Sequence, residues 1–350
     1  MFTDNSIFLR DYFFPRITLK NSIEFQKVYN HFESVKLLPI NISNYRENSK
    51  KKDIKIQSNS GPERIIKKKH VLNKSSIQFN LNQFNVQINI YDNQPIPKKT
   101  FDHLIKIIQF VASLSKIIIS ELIINIYLLD DKKEIHKNIE TLTKDEVNSG
   151  SCQRSEPAII TIYRKEELLK VTIHELIHAF QFDNYEDSPS IIKHYQNKYN
   201  ISSSTINTNE AYTEIWANII NCYLISQRVG RDKYNLFLIL VSLEEAFSNF
   251  QYHKVIYLTK MFNKTIDINE YTNVLSYYVI RNELYQRIVP FLRFCKTKNK
   301  DYIKLTKKKE WFEFLKKNGK LKKNNKRFNS IKKNNYLFTT MRMSLNELSV

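Results

Sequence analysis

The stretch that most constrains how this chain can fold is Val171 to Phe180, which reads V-T-I-H-E-L-I-H-A-F. Residues four apart share one face of a helix and point the same way. The spacing therefore predicts a helix on which His174 and His178 project together. Leu169, Ile173, Leu176 and Phe180 recur at helical intervals far around the cylinder from the two imidazoles. One side packs, and the other presents two histidines at the H-E-x-x-H spacing that holds Zn²⁺ beside a carboxylate. The competing reading is a buried amphipathic helix whose His and Glu carry no chemistry. The uncharged neighbours Val171, Thr172, Ile173, Leu176, Ile177, Ala179 and Phe180 favour the metal, because a metal site must be kept dry and rigid.

Glu175, next to His174, falls at the edge of the metal face. That is the place for a general base rather than for a ligand. A catalytic zinc takes three protein ligands, so one must come from elsewhere. Asn209 to Ala217 reads N-E-A-Y-T-E-I-W-A, and Glu210 and Glu214 are again four apart, beside an apolar stripe of Ala211, Ile215, Ile219 and Cys222. Glu210 is the candidate third ligand, and Glu214 the candidate acceptor for the free N–H of a ligand histidine. A purely structural role competes for Glu210, as capping-box partner of an N-cap at Asn207. The upstream H-E-x-x-H favours the ligand.

H-E-x-x-H followed by a helix opening N-E-x-x-x-(acid) resembles the gluzincin metallopeptidases, the thermolysin-like branch of the zincins. The resemblance implies one Zn²⁺ bound by His174, His178 and Glu210, with Glu175 activating the water that attacks a peptide bond. It implies a strand before the metal helix, here Ile159 to Tyr163, that pairs with an extended peptide substrate. It also implies a Tyr or His, from a helix several turns past the third ligand, that donates to the developing oxyanion. Tyr277 and Tyr278, with Arg281 one turn on, are the candidates, and His253 is the alternative. Two features depart from the pattern: Glu214 stands where the group usually has Asp, and the gap filled by Asp183 to Thr208 is longer than usual. The resemblance covers roughly the middle third of the chain.

The rest of the sequence supplies an α+β framework. Ile77, Phe79 and Leu81, then Phe84, Val86, Ile88 and Ile90, alternate with one slip, as in a strand with a bulge or two short strands. Thr100 is a cap for a helix carrying Leu104, Ile107, Ile108, Val111 and Leu114. Leu122 to Leu129 and Ala158 to Tyr163 read as strands. Helices are expected over Ser22 to Leu37, Asp232 to Phe250, around His253 to Phe262, and over Tyr271 to Phe294 with a break at Pro290. The organisation expected is an N-terminal segment 1–75 with a basic linker at 46–75, and a zincin-like catalytic domain at 76–225 built of a small mixed sheet and metal-bearing helices. A helical subdomain at 226–295 and a basic tail at 296–350 follow.

With 350 residues the chain has ample length for a sizeable core. Its formal charge of +20 suggests nucleic acid or another acidic partner, through the Lys-rich segments and above all Lys296 to Asn335, although the favoured reading of that last stretch is a solvated helix with a disordered tail. An inactive, zincin-like binding protein is therefore the alternative to a peptidase acting on peptide or protein substrates. Abundant Lys, Asn and Ile with only 4 Gly is a bias like that of AT-rich genomes, and the chain in this respect resembles H-E-x-x-H proteins of large DNA viruses. Cys152, Cys222 and Cys295 are widely separated and form no C-x-x-C, which points to a reducing, intracellular setting, whether cytoplasm, virion or infected cell. No apolar run is long enough for a membrane span, and Met1 to Phe14 lacks the pattern of a signal peptide.

Overall fold

The computed structural model describes every residue except 59, 83, 118, 136–140, 262–264, 318, 320, 322–334 and 350. The chain is α+β. Its strands are β1 (Ile40–Lys55), β2 (Lys69–Leu81), β3 (Phe84–Asp92), β4 (Glu121–Tyr127), β5 (Gly150–Gln153) and β6 (Ala158–Ile162). The helices of at least one turn are α1 (Asp4–Phe13), α2 (Ile23–Glu33), α3 (Glu63–Ile66), α4 (Lys98–Leu114), α5 (Lys144–Val147), α6 (Leu168–Ala179), α7 (Pro189–Tyr199), α8 (Thr208–Val229) and α9 (Lys233–Thr259). After a π-helical turn at Leu275–Ile280 come α10 (Arg281–Gln286), α11 (Ile288–Lys298), α12 (Lys308–Lys316) and α13 (Tyr336–Thr339). The chain divides into two compact units: Ser34–Lys133 with Asn148–Phe182, and Met1–Glu33 with Glu134–Val147 and Asp183–Ser349.

The first unit is built on one six-stranded sheet of order β1-β2-β3-β4-β6-β5. β1, β2 and β3 run antiparallel, β4 is parallel to both β3 and β6, and β5 closes the edge antiparallel to β6. The slip in the alternation between Ile77 and Ile90 is a hairpin between two strands, β2 and β3. Burial alternates along β4 and β6, so Leu122, Ile124, Ile126, Ile160 and Ile162 form one apolar face. The H-E-x-x-H helix α6 packs on α4, β5 and β6.

Two expectations are corrected here. The stretch 46–75 is not the expected linker: it holds the latter part of β1, all of α3 and the start of β2, and twelve residues of β1 pair with β2 between Ile40↔Leu81 and Lys55↔Lys69. A lysine-rich composition reads as mobile, yet it also suits an edge strand, where charge discourages pairing with other chains. Nor does the strand ahead of the H-E-x-x-H helix form the sheet edge. β6 is paired on both sides, and the short β5 holds the edge.

The second unit is mostly helical, as expected beyond Leu224, with differences in detail. The segment around His253 belongs to one continuous α9. The break expected at Pro290 lies at Arg287 (φ −122°, ψ 35°), because a proline ring clashes with the carbonyl four residues earlier, here Gln286. Residues 296–350 are not a solvated tail throughout. Trp311, Phe312, Phe314 and Leu315 on α12 are buried, with Trp311 edge-on to Tyr212 and packed on Phe291 and Phe294. Leu337, Met341, Met343, Leu345 and Leu348 are buried as well. Much of the Lys/Asn-rich stretch that suggested nucleic acid, residues 322–334, lies outside the described residues.

Candidate metal centre

α6 is buried along its whole length, and α4, β5 and β6 fix its position within the unit. Its start is pinned by charge. Glu167, in the left-handed region at φ 59°, pairs its carboxylate with Lys133 Nζ at 2.8 Å, both side chains being almost fully buried. The neighbouring Glu166 accepts from the backbone N–H of Lys133 at 2.7 Å. The helix ends at Ala179, after which Gln181 turns left-handed (φ 52°) and Phe182 N–H donates to the Ile177 carbonyl at 3.1 Å. Leu169, Ile173, Leu176 and Phe180 are all buried, as the stripe predicts.

Between these ends the two imidazoles converge. Nε2 of His178 lies 3.0 Å from Nε2 of His174, with the rings edge to face at 4.7 Å. Each histidine is only 6 % exposed and Glu175 5 %, so solvent competes weakly for their donor atoms. Nδ1 of His178 faces the guanidinium of Arg154 at 2.9 Å.

Glu210 stands in the first turn of α8. The helix start is not the capping box that competed for this residue. Asn207 has a left-handed backbone (φ 59°) and its side chain makes no cap bond; it donates instead to Asn273 at 2.6 Å. Asp187 takes the capping role, accepting from the Thr208 backbone N–H at 2.9 Å and from its hydroxyl at 2.5 Å. Burial raises the pKa of Asp187, against the lowering effect of those bonds. Ala211, Ile215, Ile219 and Cys222 anchor the opposite face in the core.

His174, His178 and Glu210 each offer a ligand atom, and these atoms lie within 4.8 Å of one another. Donors held about 2.1 Å from one ion must be within about 4.2 Å of each other, less than an ångström tighter than that bound. Two neutral imidazoles and a carboxylate are a donor set suited to a divalent cation such as zinc. By distance and by chemistry, this group could hold a metal ion.

The remaining candidates fall into place within their own unit. Glu214 is fully buried and pairs with Arg281 Nη1 at 3.1 Å, and Arg281 also donates to the Met343 carbonyl at 2.5 Å. Tyr278 is fully buried and donates its hydroxyl to the Met341 carbonyl at 2.7 Å. That bond commits its only proton to the core. Tyr277 is partly exposed and lies in the π-helical turn, a feature that often accompanies function. The turn is fastened to the start of α8, because Ser276 Oγ reaches the Ile206 and Asn207 carbonyls at 2.6 and 2.8 Å. His253 lies half-buried on α9.

Two residues beside the histidine helix escaped sequence reasoning. Arg154 follows an edge strand too short to show alternation, and nothing in its surroundings marks it. Gly150 opens that strand, and the scarcity of glycine in the chain is the one signal that singles it out. Beside them Tyr163 bonds Ser151 Oγ at 2.8 Å. Burial first, with a smaller contribution from the charge of Glu175, keeps its hydroxyl protonated above the usual range.

No protein-family model, no curated protein and no solved structure matches this chain.

Proposed function

We propose that this chain is a zinc-dependent metallopeptidase of the gluzincin type. The observation that carries the reading is the convergence of His174, His178 and Glu210 with Glu175 on the same buried helix. These residue types, drawn from two separated helices, form the ligand set that the H-E-x-x-H and N-E-x-x-x-(acid) patterns imply.

His174, His178 and Glu210 would hold the ion, which would supply a Lewis acid for the scissile carbonyl and for water. Glu175, as the carboxylate beside the ligands, takes the proton of the attacking water and returns it to the leaving amine. Its burial keeps bulk water from screening that exchange. The outer edge of β5 offers backbone groups to an extended peptide, in the role first expected of β6. Of the two candidate tyrosines, Tyr277 is the one assigned to the oxyanion, because it lies in the π-helical turn and the hydroxyl of Tyr278 is bonded to the Met341 carbonyl.

The charge of +20 supports a second reading, a zincin-like protein without turnover that binds nucleic acid or an acidic partner. One substitution separates the two. Glu175→Gln should abolish hydrolysis of labelled casein while leaving the metal bound if the chain is a peptidase. Casein cleavage that survives this change would end the peptidase mechanism.

A further inference from the structure

The chain has only 4 glycines, and one of them, Gly150, opens the edge strand directly against the metal helix. No glycine in the chain has a positive φ, so conformational freedom does not explain its presence. Space does. A Cβ at position 150 would stand 2.5 Å from Oε1 of Glu175, 3.0 Å from its Cδ and 2.9 Å from Cγ1 of Val171. Carbon contacts are at their best near 3.5 to 4.0 Å. The carboxylate of Glu175 therefore occupies volume that any side chain at 150 would claim.

A second glycine serves the same corner. A Cβ at Gly61 would come within 3.0 Å of the Tyr163 ring and 2.9 Å of Ile66. The Tyr163 hydroxyl reaches Ser151, the residue after Gly150, and β5 keeps its register through Gly150↔Ile162 and Ser151↔Thr161. β5 is thus held by its pairing with β6 and by the bond between Ser151 and Tyr163, and cannot drift away from α6 at little cost. In contrast, the carboxylate of Glu175 is the far end of a side chain with three rotatable bonds. Of the atoms that a Cβ would meet, the Glu175 carboxylate, at 2.5 Å and at the end of a flexible chain, moves furthest, whereas Val171 Cγ1 at 2.9 Å has to give by only a few tenths of an ångström.

We propose that Gly150 is a positioning residue for Glu175, kept without a side chain so that the carboxylate can lie against the edge strand beside the ligand histidines. The inference rests on the reading of Glu175 as the base. A larger residue at 150 leaves fold and metal intact but pushes the carboxylate out of line with the reacting water, where a shift of about 1 Å can cost on the order of 10²-fold in rate.

The test compares wild type, Gly150→Ala, Glu175→Asp and the double variant, each loaded with zinc and assayed on fluorescein-labelled casein. Gly150→Ala should retain its zinc and lose at least about tenfold in kcat with KM within about twofold. Aspartate is one methylene shorter and leaves room for the new methyl group on the carboxylate side, while the contact with Val171 remains, so the double variant should lose clearly less than the product of the two single losses, a non-additivity diagnostic of direct contact. Wild-type turnover in Gly150→Ala, or losses that multiply in the double variant, would overturn the proposal. If the wild-type protein cleaves no casein, the peptidase reading fails separately, and the crystal structure of Gly150→Ala decides the positioning claim. A carboxylate displaced with β5 in place supports it, and a carboxylate in place with β5 bent away refutes it.

Discussion

Arg154 Nη2 lies 2.9 Å from Nδ1 of His178, and a guanidinium has donors but no acceptor. Nδ1 is therefore the accepting atom, and in a neutral ring the proton then sits on Nε2, the atom facing His174 at 3.0 Å. A nitrogen that carries a proton cannot ligate a cation. For His178 to bind metal through Nε2, its proton must shift to Nδ1, which ends the acceptance from Arg154. Arg154 and the metal thus compete for the two sides of one imidazole, whereas metal-bound histidines ordinarily donate their second N–H to an acceptor. Arg154→Ala should accordingly tighten zinc binding by about tenfold, roughly one charge-assisted hydrogen bond, as read by competition with a chromogenic chelator. Weaker binding in the variant would show that Arg154 supports the ligand instead.

The buried end of the chain depends on Glu244. Its carboxylate accepts from Ser344 Oγ at 2.7 Å, from the backbone N–H groups of Leu345 at 3.0 Å and Asn346 at 2.9 Å, and from Asn346 Nδ2 at 2.9 Å. Glu244→Ala leaves these donors buried without an acceptor, and should cost about 3 kcal/mol by chemical denaturation. A loss under about 1 kcal/mol would contradict that role.

The same residue sets a pH dependence. Burial raises the Glu244 carboxyl above its ordinary 4.5, outweighing the bonds that lower it. The folded state thus holds this proton more tightly than the unfolded chain. The resulting stabilisation is fully present below 4.5 and is lost as pH rises through the folded-state value. Wild-type stability should therefore decline with pH over that window relative to Glu244→Gln, which carries no such proton. Parallel curves for the two proteins would place the carboxyl's pKa near its ordinary value.

The two adjacent tyrosines should separate by function. Tyr278→Phe leaves the buried Met341 carbonyl without its donor and should lower stability by about 1 to 3 kcal/mol, with kcat preserved. Tyr277→Phe should lower kcat on casein by about 10² with zinc content unchanged. Unchanged turnover would remove Tyr277 from the site.

Thiol chemistry reports on packing independently of metal. Cys222 and Cys295 are fully buried, and burial pushes both thiols up, away from the reactive thiolate. Cys152 is partly exposed. A disulfide reagent should label Cys152 first in the native protein and reach the other two only on unfolding; prompt reaction at Cys295 would mean that the packing of Trp311 and Phe291 around α11 opens readily.

The helix bearing the histidines was legible because its signal is local: four-residue spacing fixes which side chains share a face. Glu210 was legible as a residue, but its competition with a capping box was settled only by the backbone of Asn207 and by Asp187, twenty residues upstream. β1 was misread because lysine and asparagine are common to linkers and to edge strands, and only pairing with β2 distinguishes them. β5 and Arg154 were invisible because the strand is too short to show a period. The buried C-terminal segment was masked by neighbouring lysines, since its burial depends on Glu244 and Arg281, far away in sequence.

Metal content of the purified protein tests the central claim most directly. After dialysis against metal-free buffer, inductively coupled plasma mass spectrometry should find about one zinc per chain, retained in Glu175→Gln and lost in His174→Ala and Glu210→Ala. A wild-type protein free of zinc that takes none up on titration, or zinc that persists in His174→Ala, would contradict the account.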